Sequence, residues 1–483
     1  MQFKVVQQVL GLLLMLFSLT MLPPVFVSAW YQDGSAAAFV AGFLVTLFCG
    51  LLVWAPARWH SRELRTRDGF VVVAGFWVLL GLFGAGPLVF AEVPQLSFTE
   101  AVFEAVSGLT TTGATVIVGL DSLPPAILYY RAQLHWLGGM GIVVLAVAIL
   151  PMLGVGGAQL YRAETPGAVK DAKLTPRITE TAKALWYVYL FLTVACSLAF
   201  WAAGMTVFDA ICHAFATLAT GGFSTHDASI GFFQSPLING IAIFFMALAG
   251  ANFSLHFVAF RDRSPKIYWR DPEFRGYLWI FGIASLTIAA YLVISSHYQS
   301  APLAFMDALF TVVSVMTTTG FITVDFSLWP GALPVMIVFM MFVGGCGGST
   351  SGGMKVMRWL LLYRQGTREV VRLIHPAAEI PVRLGDDVVP QRVVEGVWGF
   401  FAVYIVLFGI LMLALLATGV DQVTAFSAIA TSMNNVGPGL GSVTMTFQAL
   451  AGAGQWISVA AMLLGRLEVF TLFVLISPAF WRR

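Results

Sequence analysis

The stretch SVMTTTGFIT, Ser314–Thr323, is poor material for a membrane span, yet a near copy, SGLTTTGAT, stands at Ser107–Thr115. Both lie in a chain of 483 residues that is 59% hydrophobic and 10% charged, against about 25% charged in ordinary globular proteins. Apolar runs of about 20 residues recur, each long enough to cross a hydrocarbon core of about 30 Å. This composition excludes a chain of soluble domains and reads as an all-α polytopic membrane protein. The net charge of +2 points to no nucleic acid partner; what matters is where the charges fall.

Ten candidate spans follow from the apolar runs: 5–29, 36–56, 70–93, 126–150, 184–204, 236–260, 276–297, 334–363, 394–418 and 454–480. Lys and Arg gather between alternate spans: Arg58, Arg62, Arg65 and Arg67 after the second, and Arg162, Lys170, Lys173, Arg177 and Lys183 after the fourth. Arg261, Arg263, Lys266, Arg270 and Arg275 follow the sixth, and Arg364, Arg368, Arg372, Arg383 and Arg392 follow the eighth. Arg131 is the exception on the opposite side. The positive-inside rule then puts both termini in the cytoplasm. Lys4, the first apolar run and VSA at Val27–Ala29 imitate a cleaved leader. The run is longer than a usual leader core and a second span follows at once, so it reads as a retained span. Cys49, Cys196, Cys212 and Cys346 lie in or beside apolar stretches without metal-binding spacing, and read as free buried thiols.

The threonine stretches belong to a fourfold repeat. EAVFEAVSGLTTTGAT from Glu100, DAICHAFATLATGGFS from Asp209, DALFTVVSVMTTTGFI from Asp307 and TAFSAIATSMNNVGPG from Thr424 align without gaps. Each opens on Glu, Asp or Thr followed by Ala, and each reaches a glycine at the same offset: Gly113, Gly222, Gly320 and Gly437. An opening acid or hydroxyl suits a helix start, and about ten residues of helix cover about 15 Å, half a bilayer. Glycine then permits backbone that other residues avoid. Each unit therefore reads as a half-helix that stops midway and returns as non-helical chain. Such chain survives only inside protein or along a water-filled cavity. A single copy would also fit a helix-packing patch of small residues; four in register on one side of the membrane favour four loops around one axis.

These segments resemble the pore repeats of the Trk/Ktr/HKT superfamily of potassium transporters. SGLTTTGAT, ATGGFST, TTTGFIT and NNVGPGLG carry the likeness at the loops; YRAETPG (Tyr161–Gly167), KLTPRITETAKALW (Lys173–Trp186) and GRLEVFTLF (Gly465–Phe473) carry it elsewhere. The resemblance implies ten transmembrane helices: four helix–pore loop–helix repeats around one central pore plus two extra N-terminal helices, which set the chain apart from eight-span members. The corresponding division is 1–68 for the extension, then 69–160, 161–265, 266–390 and 391–483 for the repeats. It also implies a potassium filter of backbone carbonyls from Thr111, Thr112, Thr220, Gly221, Thr318, Thr319, Asn435 and Val436, each pair followed by its glycine. The fourth loop departs from the threonine pattern. A filter that replaces an ion's water with oxygens needs chain rather than charge at its narrowest point.

Small residues recur beyond each loop, at LGGMG (137–141), LAGAN (248–252), VGGCGGSTSGG (343–353) and LLGR (463–466). In the third, Gly344, Gly345, Gly347, Gly348, Gly352 and Gly353, with Ser349, Thr350 and Ser351, cannot hold a stable helix, since each glycine costs about 1 kcal/mol relative to alanine. A phosphate-binding loop is excluded because Met354 separates Gly353 from Lys355; close helix packing remains an alternative. The resemblance implies an intramembrane gate here. Arg466 is the basic residue deep within a span, a functional candidate by its cost, and the resemblance puts it beside the pore; Glu468, two positions on, faces another side of the helix. His213, Asn252 and His256 read as hydrogen-bonded packing groups. No nucleotide, metal or nucleophile motif stands out, so the chain reads as no enzyme and without a bound cofactor. The resemblance further implies a homodimer in the bacterial inner membrane and a TrkA-like cytosolic regulator that would carry any NAD or ATP dependence. A sodium-selective or cation-coupled symporter on the same fold, and a non-transport membrane sensor, are the rival readings.

Overall fold

The computed structural model describes residues 2–59, 66–144, 178–385, 387–467, 475 and 477–482. The chain is mostly helix. α1 (Phe3–Ser18) runs on through one tight turn into α2 (Leu22–Tyr31), and α3 (Ala36–Trp54) packs back along it. α4 (Thr66–Gly84) and α5 (Gly86–Phe90) lead to the short α6 (Phe98–Leu109) and then α7 (Pro125–Val144). The same alternation follows with α8 (Ile178–Ala202), α9 (Val207–Leu218), α10 (Pro236–Ala249) and α11 (Phe253–Asp262). After the short α12 (Lys266–Arg270) come α13 (Pro272–Ile294), α14 (Ala301–Met316), α15 (Leu333–Met341) and α16 (Val356–Ile374). α17 (Gln391–Leu416), α18 (Gln422–Asn434), α19 (Gly452–Arg466) and α20 (Pro478–Trp481) complete the chain. Among the described residues, the strands form one antiparallel pair, β1 (Arg383–Leu384) and β2 (Asp387–Val388).

Among the described residues, six helices are long and apolar enough to cross a membrane, and a bent pair makes a seventh. The protein is therefore a multi-pass membrane protein. The other expected spans take different forms. The stretch 236–260 is α10 and α11, turned through 96° at Gly250–Asn252. The stretch 334–363 is interrupted between Met341 and Val356, where the glycines deny a continuous helix. Residues 145–150 of the span 126–150, residues 468–474 and 476 of the span 454–480 (Glu468 among them), the basic connection 151–177, Arg62 and Arg65 lie outside the described residues.

Exposed apolar side chains belt the molecule: Ile405, Val406, Ile410 and Leu413 on α17, and Trp279, Ile283 and Leu286 on α13. Water would penalise such a surface and lipid does not. Among the described residues, the two larger buried clusters lie around Tyr189, Phe253, Tyr277 and Phe310 and around Trp77, Phe103, Tyr130 and Phe447, and a small third one around Leu361 and Val394. The N-terminal hairpin is tied to the rest through Asp33, which accepts from Ser28 Oγ at 2.5 Å, Ser35 N at 2.9 Å and Ala126 N at 2.8 Å, the last in the first turn of α7. Partial burial works against its charge, but these hydrogen bonds outweigh it and hold the carboxyl below its ordinary value. Cys196, Cys212 and Cys346 are buried free thiols as expected, whereas Cys49 is partly exposed on α3.

Candidate functional site

Four short helices, α6, α9, α14 and α18, lead to the repeated glycines. Three of them start on a side-chain cap: Ser97 with Glu100, Thr206 with Asp209, and Asp421 with Thr424. Glu100, Asp209 and Thr424 are thus not the capping residues expected from their position but partners three residues beyond the cap; at Ser97 and Glu100 the pairing is a full capping box. Asp307 departs further. α14 begins at Ala301, so Asp307 lies within it and accepts from the Tyr298 hydroxyl at 2.8 Å.

All four helices end alike. The amide N–H groups of Thr112, Gly221, Thr319 and Val436 donate to the carbonyls of Ser107, Ala216, Ser314 and Thr431 at 2.8–3.0 Å. Those of Thr111, Thr220, Thr318 and Asn435 donate to Gly108, Thr217, Val315 and Ser432 at 3.1–3.3 Å. This is the Schellman termination, which requires a left-handed residue just past the helix. Thr111, Thr220, Thr318 and Asn435 supply it, with φ of 52°, 52°, 57° and 55°. A β-branched residue there is strained, at about 1–3 kcal/mol each. Two residues on, Gly113, Gly222, Gly320 and Gly437 are left-handed as well, with φ of 78°, 82°, 75° and 101°.

The glycines close a ring. A Cβ placed on Gly113 would collide with the carbonyl oxygen of Gly221, one on Gly222 with that of Thr319, and one on Gly320 with that of Val436. One on Gly437 would stand 2.9 Å from that of Thr112. Contact passes from each segment to the next and returns from the fourth to the first. The threonine triplets are braced internally: Thr110 and Thr112, and likewise Thr317 and Thr319, join their hydroxyls at 2.7 Å. The second and fourth segments depart from the triplet for visible reasons. The His135 ring fills the space where a side chain on Gly221 would go. The Asn435 amide donates to Thr112 Oγ1 at 2.9 Å and to Met462 O at 3.1 Å, sealing the fourth segment against the first. Gly138 and Gly465, in two of the small-residue clusters, let α7 and α19 pass against carbonyls in the last turns of α6 and α18, those of Leu109 and Met433.

The interrupted segment 342–355 lies directly against this ring. Gly352 N donates to Thr318 Oγ1 at 2.6 Å, Thr350 Oγ1 to the Leu218 carbonyl at 3.0 Å, and Thr220 Oγ1 to Thr350 Oγ1 at 3.3 Å. A Cβ on Gly352 would collide with the Asn434 carbonyl. Ser349, Thr350 and Ser351 are buried. Arg466, also buried, ends α19 with Nη1 donating to Thr350 O at 3.0 Å, while its Nε and Nη2 have no hydrogen-bond partner among the described residues.

A model of the TrkH family, described as cation transport protein, matches residues 35–483. The chain is 55% identical to the Trk system potassium uptake protein TrkH of Vibrio parahaemolyticus and 53% identical to that of Escherichia coli, over the whole of each chain. The chain belongs to the TrkH family. It is also 40% identical to the Trk system potassium uptake protein TrkG of Escherichia coli over 99% of both chains. The crystal structure of the potassium transporter TrkH from Vibrio parahaemolyticus superposes with a TM-score of 0.92 at 52% identity, covering both chains fully. The relatives are named as transport-system proteins, so this is a family of transporters and not of enzymes.

Within this TrkH-family fold, the four glycine segments touch one another in turn, the glycine-rich segment bonds to the second and third of them, and Arg466 bonds to Thr350 of that segment. His213 and His256 are held by partners of their own, and Asn252 packs against Gly348 of the glycine-rich segment. His213 bonds Asp209 O at 2.8 Å and Ser224 Oγ at 2.9 Å, His256 bonds Tyr268 OH at 2.7 Å and Leu248 O at 2.9 Å, and Asn252 caps α11. Of the buried carboxyls that the sequence reading does not single out, two bear on the site. Glu104, on α6, pairs with Arg131 Nε at 2.7 Å. Glu273, at the start of α13, accepts from two backbone N–H groups of the glycine-rich region. Past the ring, His226 and Asp121 tie the loops after the first and second segments at 2.5 Å. That hydrogen bond, ahead of a smaller opposing effect of burial, holds the Asp121 carboxyl below its ordinary value.

Proposed function

We propose that this protein takes up potassium across the bacterial inner membrane through a channel-like pore whose filter is the ring of four segments. The observation that carries the reading is the closed cycle of glycine-to-carbonyl contacts. A potassium ion sheds water only where oxygens replace it at no net loss. Carbonyls of Thr111, Thr112, Thr220, Gly221, Thr318, Thr319, Asn435 and Val436 supply those oxygens, and Gly113, Gly222, Gly320 and Gly437 let the segments approach closely enough. The potassium named for the relatives supports this choice of ion. Four covalently joined repeats, each a helix, a half-helix loop and a helix, surround the axis after a two-helix extension. With ten spans both termini face the cytoplasm. The membrane potential drives entry: about 2.3 kcal/mol per charge per 100 mV, more than tenfold accumulation at about 1.4 kcal/mol per decade.

The segment from Gly344 to Gly353 is the gate, supported by its hydrogen bonds to Thr318, Thr220 and the Leu218 carbonyl. Arg466 adds a positive charge beside it. If it stood about 8 Å from an ion at an effective dielectric of about 20, repulsion would be about 2 kcal/mol, enough to shape flux. A homodimer and a TrkA-like cytosolic regulator, the carrier of any nucleotide dependence, complete the reading.

Flux of potassium, rubidium, sodium and lithium through the purified chain in liposomes tests the function. Potassium and rubidium are expected to pass well ahead of sodium and lithium. Equal passage of sodium would favour a sodium-selective or cation-coupled carrier, and no flux at all a sensor. Deleting part of 347–353 is expected to raise flux and weaken regulation; a folded deletion with reduced flux would overturn the gate.

A further inference from the structure

We propose that Glu273 is the positioning residue that holds the glycine-rich segment shut; the proposal rests on the reading of that segment as the gate. Glu273 is 3% exposed in the first turn of α13. Its own helix does not need it as a cap, because Asp271 already accepts from Phe274 N at 2.7 Å. Instead Glu273 Oε1 accepts from Gly347 N at 2.8 Å and from Met357 N at 3.0 Å. These two donors bracket the segment: Gly347 lies near its beginning, and Met357 is in the first turn of α16. One oxygen from another helix thereby fixes both sides of the loop and satisfies an orphan N–H at the start of the helix that follows.

Between those donors the backbone is held in a conformation it would not choose. Lys355, at the junction with α16, has φ of 76°, and Gly348 and Gly353 have φ of 73° and 72°. Glycine adopts such values freely, but Lys355 carries a Cβ and is strained there. A strained residue persists only where its surroundings over-determine it. Besides the side-chain bonds to the ring and Arg466, backbone bonds tie the segment, from Cys346 N to Gly250 O at 2.8 Å, Phe253 N to Gly348 O at 3.1 Å and Val356 N to Gly345 O at 3.0 Å. Glu273 adds a side chain that bridges the two flanks. Without it, the Lys355 junction relaxes and the segment leaves the ring more often.

The test is rubidium uptake by the purified full-length chain in liposomes without any cytosolic partner. Glu273→Ala is expected to raise uptake about tenfold, since two hydrogen bonds to the loop are lost. Glu273→Gln keeps an acceptor oxygen at the same reach and is expected to stay near the unmodified rate. The potassium-to-sodium ratio is expected to hold in both, because neither touches the ring. A deletion within 347–353 is measured alongside. If the deletion raises uptake and Glu273→Ala does not, the positioning role is overturned while the gate stands. If neither raises it, the gate reading falls and the proposal falls with it. A rise in Glu273→Ala accompanied by lost selectivity would make Glu273 a support of the ring and also overturn the proposal. Should Glu273→Ala fail to fold, Glu273→Asp, one methylene short of both donors, decides in its place: raised uptake supports the role and unchanged uptake overturns it.

Discussion

Gly320→Ser is expected to cost the protein at least about tenfold in potassium-over-sodium preference, a loss of about 1.4 kcal/mol in discrimination. Two effects act together. Gly320 has φ of 75°, where a Cβ carries a penalty of about 1–2 kcal/mol. That Cβ would also run into the Val436 carbonyl oxygen, with Pro438 Cδ at 2.9 Å. Neither neighbour is the loose end of a flexible side chain, so the ring itself must move. Discrimination between two ions of equal charge depends on where the coordinating oxygens stand and how freely they adjust, and in the proposed filter the displaced oxygen is one of them. Gly437→Ser is expected to do less, because its nearest neighbour, the Thr112 carbonyl oxygen, stands off at 2.9 Å. Gly240→Ser and Gly282→Ser are the controls, since no atom lies within 4 Å of a Cβ at either position. Potassium and sodium flux measured on the same liposomes decides the matter: an unchanged ratio in Gly320→Ser would remove the ring from the role of filter.

The four segments were legible because a covalent repeat leaves a period in the sequence, and because a glycine at one fixed offset has a physical meaning. What that meaning missed is instructive. The strained residue two positions before each glycine is threonine in three segments, and no propensity would put a β-branched side chain in left-handed backbone. The braced hydroxyls of Thr110 with Thr112 and Thr317 with Thr319 give that middle residue a setting that the linear pattern does not display. At Glu100, Asp209 and Thr424 the cap lies three residues earlier than the repeat suggests, because the partner of a cap looks as much like a cap as the cap does. The break at Gly344–Gly353 was legible from glycine cost alone, while the 96° bend of α10 against α11 was not, since LAGAN is a milder version of the same signal. Arg131 stood out as a charge on the wrong side. Its partner did not, because Glu104 is 27 residues away on another helix and looked like one more residue of a half-helix.

Arg131→Ala is expected to destabilise the protein by about 3–5 kcal/mol, the usual cost of removing one member of a buried ion pair. Arg131 and Glu104 are 1% and 0% exposed. Glu104 also accepts from Thr115 Oγ1 at 3.0 Å and Val116 N at 3.1 Å, so it fixes the chain leaving the first glycine. Arg131 Nη2 donates to the same Thr115 hydroxyl at 3.1 Å, and Nη1 to Ser224 O in the second segment at 3.3 Å. Its guanidinium lies 4.1 Å over the Phe223 ring, which stacks on His135 behind Gly221. The pair therefore joins α6, α7 and the return paths of two adjacent segments. The single substitution leaves a buried carboxylate without its cation, and that uncompensated charge, more than the lost attraction, sets the cost. Arg131→Met combined with Glu104→Gln separates the two contributions: it removes both charges, keeps most of the volume, and leaves an amide that can still accept from Val116 N. Thermal unfolding in detergent is expected to rank the double variant above Arg131→Ala. If the double variant is the less stable of the two, the pair contributes net attraction that outweighs its desolvation, and the assignment of the cost to a stranded carboxylate is wrong.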